Sequence, residues 1–210
     1  MPSLPPILRL IHPLPTLLNA AIAAGLTLAA GGSGAQAALA ALTMIGIHAS
    51  IGALNDLLDE RSDQGRTEKP LASGELHPRT VRTIIAVSAT IGFGAASLLG
   101  KDSLQVAIAG ATLGYLYDAG VKRTWLSFLP FALGVALIPI FAWSAAGADI
   151  APRILLLSLA ATPGGSALAL QNGLADYQLD RAAGTHGIVL RIGQRTTDRK
   201  STRLNSSHVS

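Results

Sequence analysis

The sequence predicts an all-α protein, a multi-pass transmembrane helical bundle, and three observations carry that prediction. Of the 210 residues only 13% are charged and 50% are hydrophobic, where soluble domains carry roughly 25% charged residues; the mean hydropathy is +0.44. Apolar segments of membrane-crossing length recur along the chain, separated by short polar breaks. Basic residues crowd into alternate breaks, which is how a chain fixes its orientation across a bilayer. The absence of cysteine excludes a disulfide framework, a thiol nucleophile and thiolate metal ligation. The net charge of +4 is scattered along the chain, so no nucleic-acid partner is expected.

The elements follow in order. The lead-in, MPSLPPILRLIHPLP, has prolines where a secretory signal needs an unbroken apolar helix, and it lacks an early basic cluster. It reads as an amphipathic start to the mature chain. Apolar segments then span residues 15–30, 35–57, 80–99, 103–117, 125–145 and 151–175. A bilayer core takes about 20 helical residues, so the short first and fourth segments need tilt or interfacial ends. Dense glycine and alanine suit close helix packing in lipid. Pro139 and Pro163 fall inside apolar runs and predict kinks. If the N-terminus is cytoplasmic, eleven basic residues lie inside (Arg9, Arg61, Arg66, Lys69, Arg79, Arg82, Lys122, Arg123, Arg181, Arg191 and Arg195) and only Lys101 and Arg153 lie outside. That asymmetry supports six spans, with the start of a seventh helix expected near Gly187.

Residues 198–210, DRKSTRLNSSHVS, are polar and aperiodic. The run Asp198–His208 resembles the translation of a common sequencing adapter. The expected organisation is therefore one transmembrane domain over 1–197, incomplete at its C-terminus, followed by a non-native tail over 198–210. Codons other than the adapter's in the encoding DNA would remove this reading of the tail.

The acids share the basic face. Asp56, Asp59, Glu60, Asp63, Glu68, Glu75, Asp118, Asp176 and Asp180 all fall inside, against Asp102 and Asp149 outside. Topology alone requires the bases and not the acids, so the mixture points to a site. Two stretches concentrate it. In NDLLDERSD, Asn55, Asp59 and Asp63 recur every four residues and share a helical face, with Asp56 beside them. In QNGLADYQLDRAAGTHG, Asn172, Asp176 and Asp180 do the same. Like charges at this spacing repel, and more so beside a membrane. A hard divalent cation relieves the repulsion: Mg²⁺ takes a few carboxylates and completes its shell with water and phosphate oxygens. Two facing acidic helices that share Mg²⁺ with a diphosphate fit the pattern, with Arg66, Lys69, Lys122, Arg123 and Arg181 as neutralising cations. A polar helix end at the membrane boundary is the plain alternative for either motif alone; the pairing of two such motifs on one side argues against it.

NDLLDERSDQGRTEKPLASGEL resembles the first signature of the UbiA superfamily of intramembrane prenyltransferases, and NGLADYQLDRAAGTHGIVLRIG resembles the second. YLYDAGVKRTWLSFLPFALGVALIPIFAW is similar to the tyrosine/lysine segment that follows the family's fourth helix, and RLIHPLPTLLNA to its arginine-proline lead-in. The order of these signatures matches as well as their content. Thr185, His186 and Gly187 stand where the family often has threonine and leucine. The resemblance implies a bundle of about nine helices, of which this chain carries six and part of a seventh. It implies transfer of a prenyl group from an isoprenyl diphosphate to a small, often aromatic, acceptor, with Mg²⁺ as cofactor. Quinone precursors are among the family's acceptors. By position, Asp56, Asp59, Asp63, Asp176 and Asp180 become metal ligands. Asn55, Arg66, Lys69, Tyr117, Lys122, Asn172 and Arg181 become diphosphate contacts. On the chemistry itself, and not from the resemblance, Asp63, Asp118 and Lys122 are the candidate catalytic groups, with Asp118 or Asp63 as the candidate base for the acceptor.

The expected location is a bacterial or archaeal plasma membrane, with the N-terminus and active-site loops cytoplasmic. The lipid bilayer is a partner; no protein partner is required. The competing class is a cation-coupled membrane transporter; a third expectation is that the chain, lacking its last helices, is an inactive fragment. His48, on an apolar helix, reads as a packing or helix-contact residue. Trp125 and Trp143 read as interfacial anchors, Tyr115 as packing, and Tyr177 fits either role.

Overall fold

The computed structural model describes residues 4–175, 177, 181 and 187–193. Asp176, Asp180 and the 198–210 tail lie outside the described residues. The described elements are α1 (Pro6–Leu10), α2 (Pro13–Ala29), α3 (Gly34–Leu58), α4 (Pro78–Leu98), α5 (Lys101–Ala119), a single 3-10 turn (Val121–Arg123), α6 (Leu129–Ala145) and α7 (Pro152–Ala175). Residues 188–193 are again helical, where the seventh helix is expected to start. There is no strand among the described residues.

The helix starts follow from local chemistry. Prolines open α2, α4 and α6, where the missing N–H has no intrahelical partner in any case. Ser33 and Gln36 form a reciprocal capping box that opens α3. The six expected spans correspond to α2–α7. Among them α3, α4 and α7 are long and apolar enough to cross a bilayer. The apolar helices α2 and α6 have 17 residues each, or roughly 26 Å at 1.5 Å per residue, which is at the short end for a span. Large side chains point outward along the bundle, Leu14, Leu98 and Leu159 being 79%, 75% and 68% exposed. That surface suits lipid and not water.

One expectation needs correction. The helix carrying NDLLDERSD was expected to run to about Asp63, but α3 ends at Leu58 and residues 59–65 form turns. Asp59, Ser62, Asp63 and Gly65 are turn-favouring residues, and Gly65 has a φ of 90°, so the segment turns instead of extending the helix. One helix-like bond survives, Asp63 N–H to Asp59 O at 2.8 Å, and it keeps the four-residue register from Asn55 to Asp63.

The central helix is α3, which packs against α1, α2, α4, α5 and α6. Its core is small: Ala40, Ile47, Ala111 and Phe141 are buried in one cluster with Ala20 and Ala23. At its crossing with α4, the backbones touch through Gly46 and Gly92. A Cβ on Gly46 would stand 2.6 Å from Gly92 Cα, and one on Gly92 would stand 2.8 Å from Ile47 N. Any side chain there must push the helices apart. Gly92→Leu is therefore expected to destabilise the fold by at least ~1–3 kcal/mol, the usual cost of overpacking. The check is the thermal unfolding midpoint in detergent; a wild-type midpoint would show that α3 and α4 do not meet at this glycine pair.

Candidate active site

The acids gather where α3 leaves the apolar bundle. The last turn of α3 carries Asn55 and Asp56, and Asp59 is its C-terminal cap. A helix C-terminus carries partial negative charge, so carboxylates there are disfavoured unless cations accompany them. The chain supplies those cations from the loop after α3 and the turn after α5, and a histidine partner from the lead-in. Lys69 Nζ lies 2.6 Å from Asp56 Oδ1 and 3.8 Å from Asp63 Oδ2. Lys122, in the 3-10 turn after α5, lies 2.5 Å from Asp59 Oδ2, with Arg123 at 3.6 Å from Oδ1. Arg66 bridges Asp63 at 3.2 Å and Glu68 at 2.6 Å. His12, between α1 and α2, places Nε2 3.2 Å from Asp56 Oδ1.

Burial makes these contacts consequential. Asp56 is 2% exposed, Asp118 4% and Asp63 7%. Asp118, near the end of α5, accepts from Asn55 Nδ2 at 2.8 Å. The remaining oxygens Asp56 Oδ2 and Asp118 Oδ2 are buried and have no hydrogen-bond partner. Burial raises the Asp63 carboxyl above the usual range; the charges of Asp59 and Asp56 add to this, while Lys69 and Arg66 oppose it. The Arg66 guanidinium holds Glu68 below its ordinary value, and Arg9 does the same for Glu75.

Beside the acids a cavity of about 370 Å³ runs between α2, α3, α5, α6 and α7. Its wall is apolar, with Ile47, Ile51, Ile138 and Phe141 among the lining residues, and no Lys, Arg, Asp or Glu lines it among the described residues. Polar side chains are few: His12, Asn19, Thr43, His48, Tyr117 and Asn172. The Tyr117 ring meets Phe131 edge-on, with centroids 4.9 Å apart. An apolar chamber beside a charged cluster can hold a molecule with an anionic head and a hydrocarbon tail.

Of the residues singled out from sequence, Asn55, Asp56, Asp59, Asp63, Arg66, Lys69, Asp118 and Lys122 form one cluster. Tyr117 and Asn172 sit on the cavity wall. Arg181 is exposed. Asp176 and Asp180 lie outside the described residues. His48 is a helix contact, as expected: its Nδ1 donates to Met44 O at 3.0 Å, so Nε2 accepts from Asn19 Nδ2 at 3.2 Å and ties α3 to α2. It also lines the cavity. Tyr115 packs in the core and meets Ser50 Oγ at 2.8 Å, and Trp125 is exposed beside the 3-10 turn. Sequence reasoning gave Asn19, His12 and Arg9 no site role, although all three fall within the RLIHPLPTLLNA lead-in. Asn19 carried a signal, as the one amide in the first apolar run; for the other two, nothing in the spacing marks a long-range partner.

The raised carboxyl of Asp63 has a consequence for stability. A carboxyl raised by folding adds stability below its unfolded value near pH 4, and that stability is lost as pH rises through the folded value. Asp63→Asn removes this term. Relative to wild type, its thermal midpoint is expected to rise as the pH moves from 4 to 7. A difference that is flat or falls over that window would mean that Lys69 and Arg66 outweigh burial at Asp63.

The sequence model of the UbiA prenyltransferase family matches residues 15–202. No curated protein matches the chain. Among solved structures, a UbiA homologue from Archaeoglobus fulgidus bound to DMAPP and Mg²⁺ superposes with a TM-score of 0.78 at 20% identity, covering 96% of this chain and 74% of that one. A structure of digeranylgeranylglyceryl phosphate synthase gives 0.76 at 17%, covering 93% and 71%. The apo structure of a UbiA homologue from Aeropyrum pernix K1 gives 0.72 at 21%, covering 87% and 71%. At these identities the structures show a shared fold. With the family match running over most of the sequence, the apolar helices and the acidic cluster have one common account: the chain belongs to the UbiA prenyltransferase family, whose members are integral membrane proteins.

Proposed function

We propose that the protein transfers a prenyl group from an isoprenyl diphosphate to a small aromatic acceptor of the quinone-precursor kind, with Mg²⁺ as cofactor. The observation that carries this is the juxtaposition of the Asn55–Asp63 acids and their lysine partners at the end of α3 with the apolar cavity along the middle of the same helix. The Archaeoglobus fulgidus homologues bound to DMAPP or GPP with Mg²⁺ support it. The residues present fit a hard cation in part: Asp56 and Asp118 each keep a buried oxygen without a partner. Among the described residues no three acids or histidines come together closely enough to hold an ion alone. On this reading, Asp56, Asp59, Asp63, Asp176 and Asp180 would hold the Mg²⁺ that accompanies the diphosphate. Bound Mg²⁺ would offset the charge that develops on the leaving diphosphate.

The chain's own side chains do the rest. Lys69, Lys122 and Arg66 stand ready to neutralise diphosphate oxygens as the allylic C–O bond breaks. The cavity excludes water, which would quench the allylic cation. Tyr117, which lines the cavity, is the candidate to contact the diphosphate from that wall. Asp118, buried and bonded to Asn55, is the candidate to take the proton released from the acceptor. Orientation follows the basic residues, with the cluster on the cytoplasmic side of a bacterial or archaeal membrane. The transporter alternative loses support, because the acids lie at one end of α3 and not near mid-membrane, where coupled ions bind. Asp59→Ala and Asp176→Ala are each expected to abolish Mg²⁺-dependent transfer of a labelled prenyl group in membranes while the protein still inserts. Wild-type transfer rates in either variant would overturn the site.

A further inference from the structure

The loop between α3 and α4 carries Asp63, Arg66 and Lys69, and it is held from outside by one side chain of the lead-in. Arg9 Nε donates to Leu4 O at 3.2 Å, within its own segment. Its Nη1 donates to Thr67 O at 3.1 Å and to Glu68 O at 3.3 Å. Its Nη2 pairs with Glu75 Oε2. The other Glu75 oxygen accepts from Ser73 Oγ at 3.0 Å, so the far end of the loop is tied in as well. One guanidinium therefore grips the loop at residues 67–68 and again at 75, on both sides of Lys69. Arg9 can serve as a fixed arm because the next residue, Leu10, is fully buried against Ala53, Leu71 and Val81. A five-residue helix such as α1 is not stable alone; it stands here because Leu10 is buried and Arg9 is bonded.

We propose that Arg9 is a positioning residue that clamps the α3–α4 loop so that Lys69 is held against Asp56 and Asp63, ready for the diphosphate. Arg9 is not itself in the cluster; it acts through the backbone at Thr67 and Glu68, the two residues before Lys69. The role in catalysis rests on the proposed prenyl transfer, while the clamp rests on geometry alone. Guanidinium is needed for it: its five donors sit in a fixed fork, and a lysine ammonium cannot reach Glu75 and the carbonyls of Leu4, Thr67 and Glu68 together.

The test compares Arg9→Lys with Glu75→Gln in the full chain in membranes or detergent. Arg9→Lys is expected to raise the KM for isoprenyl diphosphate about tenfold, the scale of a lost charge-assisted contact, with little change in kcat, in the acceptor KM or in the thermal midpoint. It is also expected to speed amide hydrogen exchange over residues 63–76 and not in α5 or α6. Glu75→Gln, which keeps the carbonyl contacts, is expected to do less of both. A wild-type diphosphate KM in Arg9→Lys overturns the proposal, whatever the exchange does. A raised KM with unchanged loop exchange overturns it as well, since Arg9 would then act directly. If the wild-type protein transfers no prenyl group, the functional reading and the catalytic role of Arg9 fall together. Loop exchange in Arg9→Lys then decides the clamp alone: unchanged exchange removes it and faster exchange upholds it.

Discussion

Carboxylates at the end of an apolar helix have to be neutralised where they stand. This constraint shapes most of what lies around α3. Taking a charge out of water costs several kcal/mol, and the C-terminal end of a helix adds to that cost for an acid. The structure answers with cations from elements distant in sequence, Lys69 from the loop beyond and Lys122 from the turn after α5, and with a hydrogen-bond partner, His12, from the lead-in. Each pair links two elements. The acid cluster therefore also sets where the α3–α4 loop lies and where α5 turns into α6.

The same pairs explain how a charged site can border an apolar chamber. Because the cations face the acids at the end of α3, the cavity wall stays free of full charge among the described residues, and two of its few polar groups, Asn19 and His48, bond each other. A hydrocarbon chain can lie along such a wall without desolvating an ion. An anionic group, by contrast, finds cationic side chains in the cluster at the end of α3.

Much of this was legible in the sequence, and the reasons are specific. The six long helices were readable because lipid demands continuous apolar runs, and breaks such as the one around Arg61–Lys69 are sharp. The cluster was readable because four-residue spacing survives folding: Asp63 leaves the helix, yet its N–H still meets the Asp59 carbonyl, so the register predicted for a helix persists in a turn. What was not legible were the contacts between segments. His12 meets Asp56 across 44 residues, and Arg9 meets Glu75 across 66. No periodicity links such pairs, because their proximity depends on how α1 folds back over α3.

Small residues make that fold-back possible. Lipid gives helices no hydrophobic reason to associate, so close backbone approach and polar contacts must provide it. The glycine pair at Gly46 and Gly92 brings α4 against α3, and α4 begins at the end of the loop that Arg9 and Lys69 organise. Were that crossing wider, the entry to α4 at Pro78 would move outward, taking Glu75 with it. The reach of Arg9 is fixed by the burial of Leu10 against Val81 of α4 and Ala53 of α3. Close packing deep in the bundle and charge pairing at its rim are therefore one arrangement: the first sets the distance across which the second must hold.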